Sequence, residues 1–233
     1  MSSRVIAIDG PAASGKSTTA GLVARRLGWA HLDSGALYRA LTLAVLDNLP
    51  DTGGGQPATP LSPARILALA TALPVRLVLR DNAFVPEVAG VDVEAAIRGP
   101  RVTARVSEVA AIPEVRTWVN ARQRAAVTEH AGVVVDGRDI GTVVFPEAPL
   151  KVFLTATPQE RARRRITQRG EAPEDARVAA EAGALEARDR ADSTRPVAAL
   201  RAAPDAVLLD TTGLSLDEQV ERIVALARAR FPG

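Results

Sequence analysis

Apolar positions along the 233-residue chain follow two rhythms. Arg4-Val5-Ile6-Ala7-Ile8, Gly132-Val133-Val134-Val135-Asp136 and Leu150-Lys151-Val152-Phe153-Leu154 are short, nearly unbroken apolar runs rich in β-branched residues. Such runs predict strands buried on both faces of a parallel sheet. Elsewhere the spacing is helical: Ala20, Val23, Ala24 and Leu27 mark one face of a helix over Lys16 to Leu27. The pattern also predicts helices from beyond Asp33 to about Asn48, and at Pro63 to Leu73, Arg101 to Ala111, Pro113 to Glu129, Pro158 to Gln168, Pro173 to about Asp192 and Leu216 to Arg230. Proline or acidic residues open most of these, as helix starts prefer. Shorter strands are expected at Trp29 to Leu32, Val75 to Leu79, Ala83 to Val88, Val91 to Val93 and Ala206 to Leu209.

The alternation of strand and helix predicts an α/β fold, a parallel sheet flanked by helices with ligands at the carboxyl ends of its strands. One stretch breaks the rhythm. Leu49 to Pro63 carries Gly53-Gly54-Gly55 and four prolines, a loop signal that marks entry to an insertion. The expected division is a core of residues 1–48 and 100–233 with an inserted subdomain at 49–99.

Composition narrows the partners. The net charge of +2 is too small for a nucleic-acid coat and suits small anionic ligands. With no cysteine and only two separated histidines, disulfides and thiolate metal sites are excluded and a histidine-rich metal site is disfavoured. Any metal is expected on oxygen ligands and phosphate. The first strand begins at once and no apolar run spans a bilayer, which makes the cytoplasm the expected location and a membrane an unexpected partner.

Of 29 basic residues only two are lysine. One of them, Lys16, completes Gly10-Pro11-Ala12-Ala13-Ser14-Gly15-Lys16-Ser17, the GxxxxGK[ST] phosphate-binding pattern, and Thr18 follows it. Strand, glycine loop and helix come in the order that aims backbone amides and a helix N-terminus at phosphates. Lys16 adds positive charge there, and the Ser17 hydroxyl reaches Mg²⁺. Asp136 ends an apolar run as a Walker B carboxylate would, beside the same metal.

Arg161, Arg163, Arg164, Arg165 and Arg169 crowd a helix and the loop after it, at about 158–172. Arg161, Arg164 and Arg165 are expected to share a face on which a polyphosphate would relieve their repulsion. Three further clusters are expected at the sheet edge: Asp33-Ser34 with Arg39, Arg138-Asp139, and Arg188, Asp192 and Arg195 at i, i+4 and i+7. No serine, histidine or cysteine trio suggests covalent catalysis. A phosphate monoester, with a second pKa near ~6, is already an anionic nucleophile, so positioning and charge neutralisation would suffice. The aromatic residues Trp29, Trp118 and Phe153 read as packing, His31 and His130 receive no role, and Asp210-Thr211-Thr212-Gly213 reads as a turn before the last helix.

Ile8-Asp9-Gly10-Pro11-Ala12-Ala13-Ser14-Gly15-Lys16-Ser17-Thr18, Leu32-Asp33-Ser34-Gly35-Ala36-Leu37-Tyr38-Arg39 and Asp136-Gly137-Arg138-Asp139-Ile140-Gly141-Thr142-Val143-Val144-Phe145-Pro146 together resemble bacterial cytidylate kinases. Arg188-Asp189-Arg190-Ala191-Asp192-Ser193-Thr194-Arg195 is similar to that family's closing motif. The resemblance implies a P-loop core, a nucleoside-monophosphate-binding insertion and an arginine-bearing lid. It further implies transfer of phosphate from ATP, with Mg²⁺, to CMP and dCMP; a chain of this size is expected to act as a monomer. By motif, Ser34, Tyr38, Arg39 and Arg138 would hold the acceptor near its phosphate. Ser107, Arg116 and Asp139 would face cytosine, Arg188 and Asp192 the sugar, and Arg195 the acceptor pocket. Lys16, Arg138, Arg161 and Arg165 would be the catalytic cations. Ala13 stands where the family often has glycine, and Ala199-Leu200 follows Arg195 where Pro-Leu is expected. Two rivals remain at this level: a P-loop kinase for UMP, AMP or a metabolite hydroxyl, and a nucleotide-sensing module without catalysis.

Overall fold

The computed structural model describes residues 4–49, 62–194 and 197–232. The expected Gly53-Gly54-Gly55 loop and Arg195 lie outside the described residues. In chain order the elements are β1 (Arg4–Asp9), α1 (Lys16–Leu27), β2 (Ala30–Asp33), α2 (Ser34–Asn48), α3 (Pro63–Ala72), β3 (Val75–Arg80), β4 (Ala83–Val88) and β5 (Val91–Asp92). They continue as α4 (Pro100–Ala110), α5 (Pro113–Thr128), β6 (Gly132–Gly137), β7 (Leu150–Thr155), α6 (Pro158–Gln168), α7 (Asp175–Ser193), β8 (Val207–Asp210) and α8 (Leu216–Arg230).

The described residues form two compact units, one running up to Leu32 and from His130 onward, the other spanning Asp33–Glu129. The first carries the strand order β2-β6-β1-β7-β8. There β1 pairs in parallel with β6 from Arg4↔Gly132 to Asp9↔Gly137 and with β7 from Ile6↔Leu150 to Asp9↔Phe153. All of β6 is buried, as its unbroken apolar run requires. Ile6, Ile8, Val134, Val152 and Leu154 of the sheet pack with Ala20 and Val23 of α1 and Val220, Ile223 and Val224 of α8. Gly132 is small for a reason: a Cβ there would stand 2.4 Å from the Trp29 ring, which itself meets Phe231 edge to face at 5.2 Å. Trp29 is thus a packing residue, as expected.

In the second unit β3 and β4 are antiparallel from Val75↔Val88 to Arg80↔Ala83, with β5 on β4. Leu37 and Leu41 of α2, Ile66 of α3, Val75 of β3, Val109 of α4 and Val119 of α5 share one apolar cluster. This unit is wider at both ends than the expected 49–99, because α2, α4 and α5 bury their apolar faces in the same cluster as the inserted strands. The bounds of α6 and α8 coincide with the expected ones, and α8 opens with a Ser215–Glu218 capping box. Helix α7 stops at Ser193, and Arg188 and Asp192 share it. A π-helical turn at Ile140–Val144 and a 3₁₀ turn at Ala96–Arg98 have no counterpart in the sequence reading.

Candidate active site

Strand β1 delivers Asp9 to the sheet's carboxyl edge, and the next residues form the glycine loop. Gly10 is held at φ 153° where a Cβ would lie 2.2 Å from the Leu154 carbonyl oxygen, so only glycine fits. Gly15 caps α1 in the left-handed region at φ 87°. Ala13 also lies there, at φ 58°, which costs an alanine about 1 kcal/mol relative to glycine. The Lys16 side chain is buried, and its Nζ donates to the Pro11 carbonyl at 2.6 Å and the Ser14 hydroxyl at 3.3 Å. Burial pushes the Lys16 amine well below its ordinary pKa, nearby Arg138 adds to the depression, and Asp136, Asp9 and Asp189 oppose it.

Ser17 and Asp136 meet as expected: the Ser17 hydroxyl donates to Asp136 Oδ2 at 2.5 Å. The other oxygen, Oδ1, lies 2.8 Å from His31 Nε2 on the neighbouring strand β2. Burial alone would raise the Asp136 carboxyl, but the bonds to His31 and Ser17 and the Lys16 charge outweigh it and hold the group below the usual carboxylate range. A hydroxyl beside an ionised carboxylate is a hard oxygen pair that suits Mg²⁺. Among the described residues no cluster of three or more His, Cys, Asp or Glu could hold a metal, so the remaining positions would fall to phosphate oxygens and water, as Mg²⁺ prefers.

The loop after β6 is suspended from β1. Asp9 Oδ1 accepts the Ile140 amide at 2.8 Å and Oδ2 the Gly141 amide at 2.7 Å. Burial raises the Asp9 carboxyl to about 6 despite these two bonds. The stem of Lys151 runs against Gly141, where a Cβ would meet its Cδ at 3.1 Å, and its ammonium pairs with Asp205 at 2.8 Å. Asp139, itself buried, begins the π-helical turn, its carbonyl accepting the amides of Val143 and Val144. Arg138 Nε reaches Asp192 Oδ2 at 3.4 Å, so the Asp136–Asp139 and Arg188–Asp192 motifs do come together.

Arg161, Arg164 and Arg165 of α6 stand at i, i+3 and i+4 on one helix, as their spacing predicts, but each has protein partners of its own. Arg161 is buried: Nη1 donates to the Ala12 carbonyl at 2.9 Å and to Asp189 at 2.5 Å, and Nε to the Ala156 carbonyl. Arg164 reaches the Thr211 carbonyl at 2.6 Å and pairs with Glu160, whereas Arg165 pairs with Glu181 on α7 at 3.3 Å. Carboxylates on α6 and α7 therefore offset the repulsion that the sequence alone suggests. Ala13, Gly15, Thr18, Arg164, Arg165 and Gln219 line part of a cavity of 390 Å³ beside the glycine loop.

The remaining expected site residues belong to the other unit. Ser34 is the first residue of α2, which Asp33 caps by accepting the Gly35 amide at 2.9 Å, and the Ser34 carbonyl accepts from Gln123 at 2.9 Å. The buried Arg116 guanidinium lies 5.5 Å over the Tyr38 ring and donates to the Ala110 carbonyl. Arg39 donates to Thr103 Oγ1 at 3.0 Å, and Ser107 is exposed on α4.

The cytidylate kinase family model matches residues 6–229. A protein of Azotobacter vinelandii (strain DJ) named cytidylate kinase is 47% identical over 228 residues, covering 97% of this chain and 96% of that protein. A cytidylate kinase of Pseudomonas aeruginosa (strain LESB58) is 45% identical, covering 94% of this chain and 93% of that one. The chain belongs to the cytidylate kinase family. Within this family member the structure adds three residues to those the sequence suggested: His31 on the Asp136 carboxylate, Asp9 under the Arg138–Asp139 loop, and Asp189 between Arg161 and the glycine loop. Asp9 and Asp189 stood inside recognisable motifs without a stated task. His31 left no trace, since its partner is 105 residues away and the two meet only through the strand order.

Proposed function

We propose that this protein transfers the γ-phosphoryl group of ATP to CMP and dCMP. The observation that carries the reading is the meeting of Lys16, Ser17 and Asp136 at the glycine loop with the Arg138–Asp192 contact in the same unit, in a chain of the cytidylate kinase family. The loop amides and Lys16 hold the donor's phosphates, and the cavity beside Ala13 and Thr18 takes the rest of the donor. Ser17 and Asp136 would hold Mg²⁺, which would supply charge neutralisation at the donor's phosphates. The acceptor phosphate attacks as an anion, so the protein's task is alignment and charge neutralisation by Lys16, Arg138 and Arg165.

Ser34, Arg39 and Arg138 hold the acceptor near its phosphate with Tyr38 also in contact with substrate, Arg188 and Asp192 face its sugar, and Arg195 faces the acceptor pocket. Asp139 accepts from the cytosine amine, while Arg116 and Ser107 donate to its ring acceptors; uracil reverses the amine and ring-nitrogen roles. Arg161 Nε and Nη1 are committed to Ala156, Ala12 and Asp189, which leaves its Nη2 to meet phosphate beside Arg165. The insertion at 49–99 serves the monophosphate and residues 158–172 the donor. The protein acts as a monomer in cytoplasmic pyrimidine nucleotide metabolism, without nucleic acid or membrane. No helix among the described residues is long and apolar enough to cross a membrane.

The test is ADP release from Mg·ATP with CMP, dCMP, UMP and AMP offered in turn. Turnover with the two cytidine nucleotides far above the others is the expected result. Turnover favouring UMP or AMP would replace the proposed acceptor, and none with any monophosphate would favour a sensing module.

A further inference from the structure

Asp189 stands between two motif residues, Arg188 and Asp192, yet its carboxylate is engaged with the glycine loop. Oδ1 accepts the Ala12 amide at 3.1 Å and Oδ2 accepts from Arg161 at 2.5 Å, while Arg161 Nη1 also donates to the Ala12 carbonyl at 2.9 Å. Both polar groups of Ala12 are thus gripped, across 177 residues in one case and 149 in the other. Beneath them Ala12 packs in an apolar seat made by Ala162 and Ile166 of α6 and Val178, Ala182 and Leu185 of α7. The very next residue, Ala13, is the non-glycine at φ 58°.

We infer that Asp189 and Arg161 form a positioning clamp that holds the Ala12-Ala13 segment of the glycine loop in its phosphate-binding conformation, against the left-handed strain at Ala13. The Arg161 side of the clamp is made by Nε and Nη1, whose three N–H groups go to the Ala156 and Ala12 carbonyls and to Asp189. A loop with glycine at this position would have no such strain to hold. The clamp rests on the reading of Gly10–Thr18 as the donor site, and it assigns Arg161 a positioning task carried by Nε and Nη1.

The closing experiment measures ADP binding by calorimetry, without acceptor, together with KM for ATP and for CMP. The variants are Asp189→Asn, Arg161→Lys, their double, and each single change combined with Ala13→Gly. Asp189→Asn keeps the volume but loses the charge that grips Arg161, so ADP affinity and kcat/KM for ATP are expected to fall about tenfold while KM for CMP stays within about twofold. The double variant should lose little more than either single one, as expected of residues acting as a unit. Ala13→Gly should restore most of the loss in the clamp variants and do little alone, a rescue that generic destabilisation would not show. Arg161→Lys keeps the test alive should Asp189→Asn fold poorly. Unchanged ADP affinity in both single variants, additive losses, or no rescue by Ala13→Gly would overturn the clamp. Failure of the wild-type chain to phosphorylate any monophosphate would instead overturn the acceptor reading, and the ADP titrations would still judge the clamp.

Discussion

Asp9 accepts the backbone amide of Gly141 at 2.7 Å, so the strand that launches the glycine loop also carries the loop that bears Arg138 and Asp139. Each carboxylate oxygen serves one amide, an arrangement that an asparagine cannot copy because its NH₂ would face a donor. Asp9→Asn is expected to destabilise the fold by about 1–3 kcal/mol at pH 7 and to raise KM for CMP. Denaturant midpoints and acceptor saturation curves check both.

The same residue gives a pH signature. Its carboxyl is raised from 3.8 to about 6, so between those values the folded state binds the proton more tightly than the unfolded chain. Stability from this group therefore rises as pH falls through about 6, approaching about 3 kcal/mol only below pH 3.8. The difference in unfolding free energy between wild type and Asp9→Asn should shift in favour of wild type on acidification. A gap that stays flat from pH 7 to 4.5 would contradict the raised value.

Lys16 is held inside the loop by Pro11 and Ser14. Lys16→Ala removes the buried cation proposed to meet the donor's phosphates, and kcat is expected to drop by about 10³. Thermal stability should change little or improve, since a costly buried charge is gone. Single-turnover rates alongside a melting curve separate the two effects.

Asp136→Asn should raise the Mg²⁺ concentration needed for half-maximal rate by about 10–100-fold, and His31→Ala should act in the same direction by less. Titrating Mg²⁺ at fixed ATP reads this, and removing it with a chelator should stop turnover. Indifference to His31 would show that its contact with Asp136 leaves the carboxylate's behaviour unchanged.

Asp139→Ala removes the proposed acceptor for the cytosine amine. The ratio of kcat/KM for CMP over UMP should fall by about tenfold or more. An unaltered ratio would sink the base-reading role.

The sheet and most helices were legible because β6 and β7 are nearly continuous apolar runs and because Pro158 and Pro113 stand at helix starts. The glycine loop was legible for a different reason: Gly10 and Gly15 are demanded by local backbone geometry, which leaves a fixed spacing in sequence. Periodicity failed at the arginines. It places Arg161, Arg164 and Arg165 on neighbouring helical positions but says nothing of whether α7 offers Asp189 and Glu181 to meet them. It failed likewise for His31 and Asp9, whose partners are fixed by strand order and by the π-helical turn at Ile140–Val144. The compact unit at Asp33–Glu129 exceeded the sequence boundary because glycine and proline punctuate a loop, whereas shared burial decides what folds together.

Glu181 answers two cations at once, Arg165 at 3.3 Å and Arg169 at 2.9 Å. On the proposed reading, a polyphosphate arriving at these arginines would have to outbid a resident anion, and drawing off either guanidinium would loosen the hold on the other. Affinity at this end of the molecule is a difference between two embraces, and a change at position 181 can tune it without touching any ligand.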